Sequence, residues 1–474
     1  MQEVVIKMNL PNMLEAAKRT DTKTNYIYEN RDLPNLFNNK NYFIRTYGCQ
    51  MNVHDSEEIK AILEGMGFQE TEDFDSSDII ILNTCAIREN AEDKVFGFLG
   101  KCKHLKKQKP DLILALCGCM AQEEKVVNEI KERHSYIDLI FGTHNISELP
   151  TMLKEKGVKQ TINVYSKEGD VIEFNNRYIR DSKITAWVNI MYGCDKFCSY
   201  CIVPFTRGKQ RSRKPQDILK EVEDLIKNGY QEITLLGQNV NAYGKDLEEK
   251  VEFSELLKLV SKTKIPRIRF VTSHPWDFTD EMIDIIAECD NVMPYVHLPV
   301  QSGSNNILKA MNRKYSKEDY LKLFNKIKTK VPHASVTTDI IVAFPGETEA
   351  DFNETLEVVK ECQFDGAFTF IFSPREGTPA AKLKNGLTEE VKKARLQKLN
   401  KLVNDFSRRK NEKLLGEICK VLVTGISEKD ETKICGYTEN MKLVNIEGKK
   451  ENIGKIIDVE ITAAKSFSLD GREL

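Results

Sequence analysis

No stretch of this 474-residue chain approaches the roughly 20 consecutive apolar residues that a membrane-crossing helix requires. A secretory signal is missing as well. The first forty residues carry Glu3, Glu15, Asp21, Glu29 and Asp32 and no apolar core, and the same acids are out of place in a transit peptide. Excess charge of either sign is also absent: 70 Lys and Arg stand against 72 Asp and Glu, a net of −2. No global field therefore advertises a nucleic-acid partner, and any basic surface must be local. Together these absences argue against a helical membrane protein and a secreted one, and the expectation is a cytoplasmic protein. Cysteine, by contrast, is plentiful. Twelve cysteines in a chain without a secretory signal argue for reduced thiols, some with metal or redox work to do.

At roughly 100–200 residues per domain the length implies two to four domains. Behind a polar, weakly patterned leader (residues 1–40), three segments differ in pattern. In residues 41–155 the apolar runs "YFIRTYG" (42–48), "IIIL" (79–82), "LILALC" (112–117) and "IDLIF" (137–141) alternate with helical patterns, which predicts an α/β doubly wound parallel sheet. Residues 180–411 repeat the alternation six times, from "ITAWVNIM" (184–191) to "AFTFIF", and predict a barrel or most of one, a partial (β/α)6 barrel. Residues 412–474 hold short strand-like runs separated by turns and predict a small antiparallel β-barrel. The charged stretch leading into it reads as a helix with a solvated face.

The stretch "MYGCDKFCSYCIVPFTRGKQRSR" (191–213) places Cys194, Cys198 and Cys201 at C-x3-C-x2-C spacing, directly after the first strand of the second segment. Catalytic groups of parallel barrels collect at that end of the strands. A structural zinc site wants four protein ligands, and no second CxxC pair follows to complete one. Three thiolates would leave the fourth iron of a cubane iron–sulfur cluster open to a small chelating molecule. Structural zinc or unliganded loop cysteines are the competing readings. The first segment has its own set: Cys49 in "YGCQMN", Cys85 in "LNTCAIREN" and Cys119 in "LCGCMAQ" each follow a predicted strand. Strand ends of an open parallel sheet converge on one crevice, so three distant thiolates can meet there. Ordinary buried cysteines are the alternative.

The 194–201 spacing in this place resembles the radical S-adenosylmethionine enzymes. In that family the open iron binds the amino and carboxylate groups of S-adenosylmethionine. The strand ends "LLGQNVNAYG" (235–244), "HLPVQSGS" (297–304) and "DIIVAFPGETE" (339–349) agree with it. Gly237, Gln238, Asn239, Gln301, Ser302, Asp339, Gly346 and Glu347 then become candidates to approach or hydrogen-bond S-adenosyl-L-methionine. With "NTCAIRE", "GCMAQ", "PFTRGKQRSR" and "FSPREGTPAA" added, the resemblance narrows to the MiaB-type tRNA methylthiotransferases and covers roughly residues 42–474. It implies two 4Fe-4S clusters, one on Cys194, Cys198 and Cys201 and an auxiliary one on Cys49, Cys85 and Cys119. The family pattern Gly-Cys-x-Ala-Gln selects Cys119 over Cys117. It further implies a C-terminal TRAM domain, and a reaction that replaces a C–H bond with C–SCH3 on an isopentenylated adenosine beside the tRNA anticodon. An electron donor such as flavodoxin or ferredoxin and a monomeric chain complete the expectation.

Two basic runs are candidate RNA contacts. Arg207, Lys209, Arg211, Arg213 and Lys214 follow the cysteine loop, and Lys101, Lys103, Lys106, Lys107 and Lys109 form a weaker run; a solvated surface is the bland alternative for both. Residues 412–474 hold 10 Lys and Arg against 12 Asp and Glu, so an RNA-binding role there must rest on a local patch or on polar and backbone groups. Competing functions are a methylthiotransferase acting on another modified adenosine or on a ribosomal-protein aspartate, and a non-catalytic metal-bound RNA-binding protein.

Overall fold

A computed structural model describes residues 4–9, 24–29, 33, 35–86, 89–154, 160–165, 169–174 and 178–474. Ile87 and Arg88, within the quoted "NTCAIRE" motif, lie outside the described residues, as does most of the expected leader. The leader nevertheless contributes two strands, β1 (Val4–Asn9) and β2 (Asn25–Glu29). The strands of the first segment are β3 (Lys40–Thr46), β4 (Phe68–Glu70), β5 (Ile79–Thr84), β6 (Ile113–Gly118), β7 (Leu139–Phe141) and β8 (Gln160–Tyr165). They form, with β1, one seven-stranded parallel sheet in the order β1-β8-β7-β6-β5-β3-β4. Its strands read as continuous apolar runs because both faces are covered. Ile80 and Leu82 pack with Val95, Leu99 and Ile130 on one side, while Ile79 and Ile81 pack with Ile59, Ile62 and Leu149 on the other.

A short parallel pair, β2 with β9 (Asp170–Phe174), packs on the barrel segment, where the Tyr26 hydroxyl donates to the Ser212 carbonyl at 2.7 Å. The second segment supplies all six expected barrel strands: β10 (Thr185–Asn189), β13 (Glu232–Leu236), β14 (Arg267–Phe270), β15 (Tyr295–His297), β16 (Ser335–Val342) and β17 (Gly366–Ile371). Between the first two, β11 (Met191–Tyr192) and β12 (Arg211–Ser212) pair antiparallel and close the base of the cysteine loop. The six strands run as two parallel three-stranded sheets, β10-β13-β14 and β15-β16-β17, joined by a parallel bridge between Ile268 and Val292. The result is a partial barrel with β17 at an open edge.

The C-terminal barrel is closed in the order β18 (Ile418–Ser427), β19 (Asp430–Thr438), β20 (Leu443–Glu447), β22 (Leu469–Glu473), β21 (Ile456–Ala464). It departs from a purely antiparallel barrel at one seam, where β20 and β22 run parallel. The barrel docks on the base of β14: Arg267 donates to the carbonyls of Tyr437 (2.8 Å) and Lys420 (3.0 Å), and Arg269 to those of Glu439 (2.7 Å) and Thr438 (2.8 Å). Both arginines are buried, so these carbonyls satisfy donors that would otherwise be stranded. Lys442, which forms an ion pair with Asp365 at 3.2 Å, adds a second attachment.

Candidate functional site

The strand order explains how three cysteines far apart in sequence become neighbours. Cys49, Cys85 and Cys119 follow β3, β5 and β6, which lie side by side. At about 4.8 Å between strands, three adjacent ends span about 10 Å. Gly48 is held at φ +119°, and a Cβ built there would stand 2.5 Å from the Cβ of Cys85, so only glycine lets the two loops close up. Cys49 then caps the helix Gln50–Gly65, at the end where negative charge is stabilised. One turn along, the Asn52 side-chain amide donates to the carbonyls of Tyr47 (2.9 Å) and Thr84 (2.8 Å), tying the ends of β3 and β5 together. Its Oδ1 faces the thiols of Cys49 (3.8 Å) and Cys119 (3.9 Å). Burial pushes the Cys119 thiol up to about 12 against the pull of Arg207, so ionising it requires a positive partner. Cys117 points elsewhere, into the apolar cluster of Ile79, Ile81 and Phe141 on one face of the sheet.

The second set lies in the loop between β11 and β12. Gly193, at φ +71°, has the carbonyls of Gly208 and Lys209 where a Cβ would be, at 2.4 and 2.1 Å, so the loop's two ends touch through this residue. Cys194 N donates to the Gly208 carbonyl at 3.2 Å and Cys201 N to that of Cys198 at 3.0 Å. Burial together with the neighbouring Cys198 raises the Cys201 thiol to about 12, and burial raises Cys194 further still. Among the described residues, no three cysteine, histidine or carboxylate side chains are gathered tightly enough to chelate a single ion. The thiols of each set still lie near enough to feel one another's charge, Cys119 with Cys85 and Cys49, Cys194 with Cys201 and Cys198, and a cubane would give each thiolate a separate iron. Three thiols with an adjacent guanidinium in each set, Arg207 at Cys119 and Arg313 at Cys198, are a donor set that such a cluster would fit.

The loop is anchored on the barrel. Lys196 reaches Asp277 at 2.7 Å, as does Lys245, and Asn239 donates to the same carboxylate at 2.8 Å. Burial alone would raise Asp277; these donors hold it below the usual carboxylate range. Arg313 donates to the Cys198 sulfur at 3.4 Å. Around this point several buried polar atoms have no partner among the described residues: both amide atoms of Asn189, Oε1 of Gln238, Oδ1 of Asn239 and Oγ of Ser273. They sit at the ends of three adjacent strands, β10, β13 and β14, and unsatisfied buried groups of this kind mark a place for a polar guest.

The remaining candidates divide. Gln301, at φ +68°, bonds through its backbone to Asp339 and Ile341, while Gly346 is open above the strand ends. Gly237 is tight against Met191 and presents its carbonyl to Thr272. Ser302 and Glu347 are engaged with the protein's own groups. The Ser302 hydroxyl lies 3.3 Å from that of Thr355, and Glu347 accepts from Ala343 N (2.7 Å) and Arg395 (2.6 Å), so both brace loops from behind.

The cationic run after the loop is mostly internal. Arg207, Arg211 and Arg213 are buried and engaged with protein, so they offer nothing to a phosphate. Arg213 is held by Glu173 and Glu221, at 2.5 and 2.6 Å, and Arg211 by the carbonyls of Arg207 (3.1 Å) and Asp170 (3.0 Å). Lys214 lies over the rings of Tyr26 and Tyr28 at 4.5 and 5.4 Å. Only Lys209 and Lys214 of the five keep part of their surface in solvent. Arg207 does what sequence reasoning missed: it crosses to the first domain, forming a two-pronged bond to Asp55 (2.6 and 3.1 Å) and donating to Asn52 (2.9 Å) and to the Cys119 sulfur (3.2 Å). Ala86, Cys119 and Ile202 form an apolar contact beside it. The signal was present as Asn52 and Asp55 at i, i+3 on one helix face, but their partner is 155 and 152 residues away. In the weaker run Lys101, Lys103, Lys107 and Lys109 are exposed, and Lys106 pairs with Asp138 at 2.5 Å.

Comparison with known proteins agrees with this layout. The radical SAM superfamily pattern matches residues 188–359, the uncharacterized protein family UPF0004 residues 41–142, and the TRAM domain residues 412–474. Proteins of Staphylococcus aureus strains MRSA252 and NCTC 8325 / PS 47, each named tRNA-2-methylthio-N(6)-dimethylallyladenosine synthase, are 53% identical over 470 residues, covering 97% of this chain and 91% of each relative. Among solved structures, the radical S-adenosylmethionine methyltransferase TsrM from Kitasatospora setae is similar in fold, with a TM-score of 0.51 at 13% identity, covering 72% of this chain and 75% of that one.

Proposed function

Because the chain belongs to the family of the tRNA-2-methylthio-N(6)-dimethylallyladenosine synthases, we propose that it is a radical SAM transferase that methylthiolates a tRNA adenosine already carrying the N6-dimethylallyl (isopentenyl) group beside the anticodon. The observation that carries the reading is the meeting of two three-cysteine sets across a domain boundary, one at the ends of β3, β5 and β6 and the other in the loop bolted to them by Arg207. In this proposal Cys194, Cys198 and Cys201 hold one 4Fe-4S cluster and Cys49, Cys85 and Cys119 a second. When bound, the clusters and S-adenosylmethionine supply the radical and the methylthio group, chemistry that an unactivated aromatic C–H bond requires because it offers no acidic proton.

The chain's own residues bind and orient. Gln238 and Asn239, with Asn189 and Ser273, present unpaired polar atoms to S-adenosylmethionine at the ends of β10, β13 and β14. Gly237, Gln301 and Gly346 line the neighbouring strand ends, and Asp339 lies below them within β16. Arg207 and Arg313 donate to one sulfur of each set, which stabilises thiolate over thiol. The reading carries with it a one-electron donor of the flavodoxin or ferredoxin class, a monomeric chain and a cytoplasmic location. Among the described residues, no helix is long and apolar enough to cross a membrane. Mass spectrometry of tRNA nucleosides from cells lacking this protein tests it. The methylthio group should disappear from isopentenyladenosine and return with the intact gene; unchanged nucleosides would sink the reading.

A further inference from the structure

The open edge of the partial barrel carries two uncovered aromatic side chains. On β17, Ala367 and Ile371 turn to the apolar core, and Thr369 bonds Asn400 on the helix Glu389–Glu412. The alternate residues, Phe368 and Phe370, point the other way and are 60% and 41% exposed. Parallel register sets Phe368 beside Asp339 and Phe370 beside Ile341 of β16, so all four share one face of the sheet. The His297 ring meets Phe368 edge-on at 6.2 Å, with its Nε2 3.4 Å from the Asp339 carboxylate and its Nδ1 3.0 Å from the Thr337 hydroxyl. Toward the strand ends, Ile341 packs on the cluster of Ile307, Met311, Phe344 and Phe372. Tyr200, the residue between Cys198 and Cys201, packs on the same cluster. An apolar stripe thus leads from a polar His–Asp pair inside the barrel toward the cysteine loop.

We propose that Phe368 and Phe370 form the seat of the N6-dimethylallyl tail and so decide which adenosines are accepted. The inference rests on the reading above. A nucleic acid is polar and charged everywhere except on its base faces, and the five-carbon branched alkene is the one apolar group on the substrate named for the relatives. Two neighbouring phenylalanines left uncovered on the lumen face of the edge strand, with Ile341 beside them, match that group in chemistry and in extent. A site built this way accepts an adenosine only after the tail has been attached. The reaction that supplies its substrate must therefore be a prenyl transfer to the adenine N6, completed before methylthiolation.

Equilibrium binding by fluorescence anisotropy tests this with the full-length chain and two synthetic anticodon stem-loops, identical except for the dimethylallyl group. The intact protein should favour the prenylated stem-loop by about 10- to 100-fold, the range expected when part of a five-carbon chain leaves water. Phe368→Ala/Phe370→Ala should erase that preference while its affinity for the unprenylated stem-loop stays the same, and Phe368→Leu/Phe370→Leu should recover a substantial part of it. The side chains are exposed, and an unchanged urea-unfolding profile shows that the variant is folded. A preference that survives the double alanine change overturns the inference. An intact protein with no preference overturns it as well, even where the nucleoside analysis of the deletion strain upholds the methylthiolation reading; unchanged nucleosides in that strain would fail the reading itself.

Discussion

Arg207 can be examined by removing it and its partner separately and together. Its guanidinium and the Asp55 carboxylate are both about 5% exposed and are joined at 2.6 and 3.1 Å across a domain boundary. Taking either charge away leaves the other buried without its main partner, which costs about 3–5 kcal/mol. For Arg207→Ala the donated bonds to Asn52 and Cys119 are lost in addition. Removing both charges eliminates the stranded one, so Arg207→Ala/Asp55→Ala should cost about 2–3 kcal/mol less than the two single changes summed. Amide hydrogen exchange on the cluster-free protein measures this by region. In Arg207→Ala, peptides covering 50–65 in the first domain and 203–212 in the barrel loop should both exchange about 100-fold faster, since each 1.4 kcal/mol is a factor of ten. Additive costs in the cycle, or acceleration confined to 203–212, would refute the idea that Arg207 holds the two domains together.

Two other outcomes follow from the buried groups. After anaerobic reconstitution, Cys119→Ala should retain about half the iron of the intact chain, whereas Cys117→Ala should retain all of it and show only the modest stability loss of a trimmed core residue; equal iron in the two variants would remove Cys119 from the ligand set. Glu57, buried beside Arg180 with Asp181 and Glu221 near, is raised from 4.5 to about 7, mainly by burial and against the pull of Arg180. The folded chain therefore keeps a proton there that the unfolded chain releases above about 4.5. That stabilising contribution is complete at low pH and lost as pH rises through about 7. Urea midpoints measured from pH 5 to 7.5 should fall less steeply for Glu57→Gln than for the intact chain, and identical slopes would show that Glu57 does not titrate in this window.

The sequence by itself determined the elements and their order. Short β-branched apolar runs such as "IIIL" suit strands covered on both faces, and Ile79 and Ile81 are buried on one side of the sheet, Ile80 and Leu82 on the other. Repetition of that pattern with helices between fixes parallel sheets, because parallel neighbours need a crossover. Local spacing also carried the loop of Cys194, Cys198 and Cys201, whose three thiols lie within eight residues. The leader was read less well: polar, weakly alternating strands such as "NYIYE" show no local signal, and β2 exists only because β9 and the barrel lie beside it.

What only the tertiary structure decided is where the charges go. In sequence, five cations in eight residues look like a surface for phosphate. In the folded chain three of them are internal, because Asp55 is brought to Arg207, Glu173 and Glu221 to Arg213, and the carbonyls of Asp170 and Arg207 to Arg211. Strand order decided that β3, β5 and β6 are adjacent, and so which three of the first domain's cysteines can face one point while Cys117 turns into the core. The exposure of Phe368 and Phe370 belongs here too, since strand alternation puts them on one face but only an unclosed barrel leaves that face bare. Hydrophobic period is a property of neighbours along the chain and is legible there. The partner of a charge, a thiol or an aromatic ring is a neighbour in space, and it is set by topology.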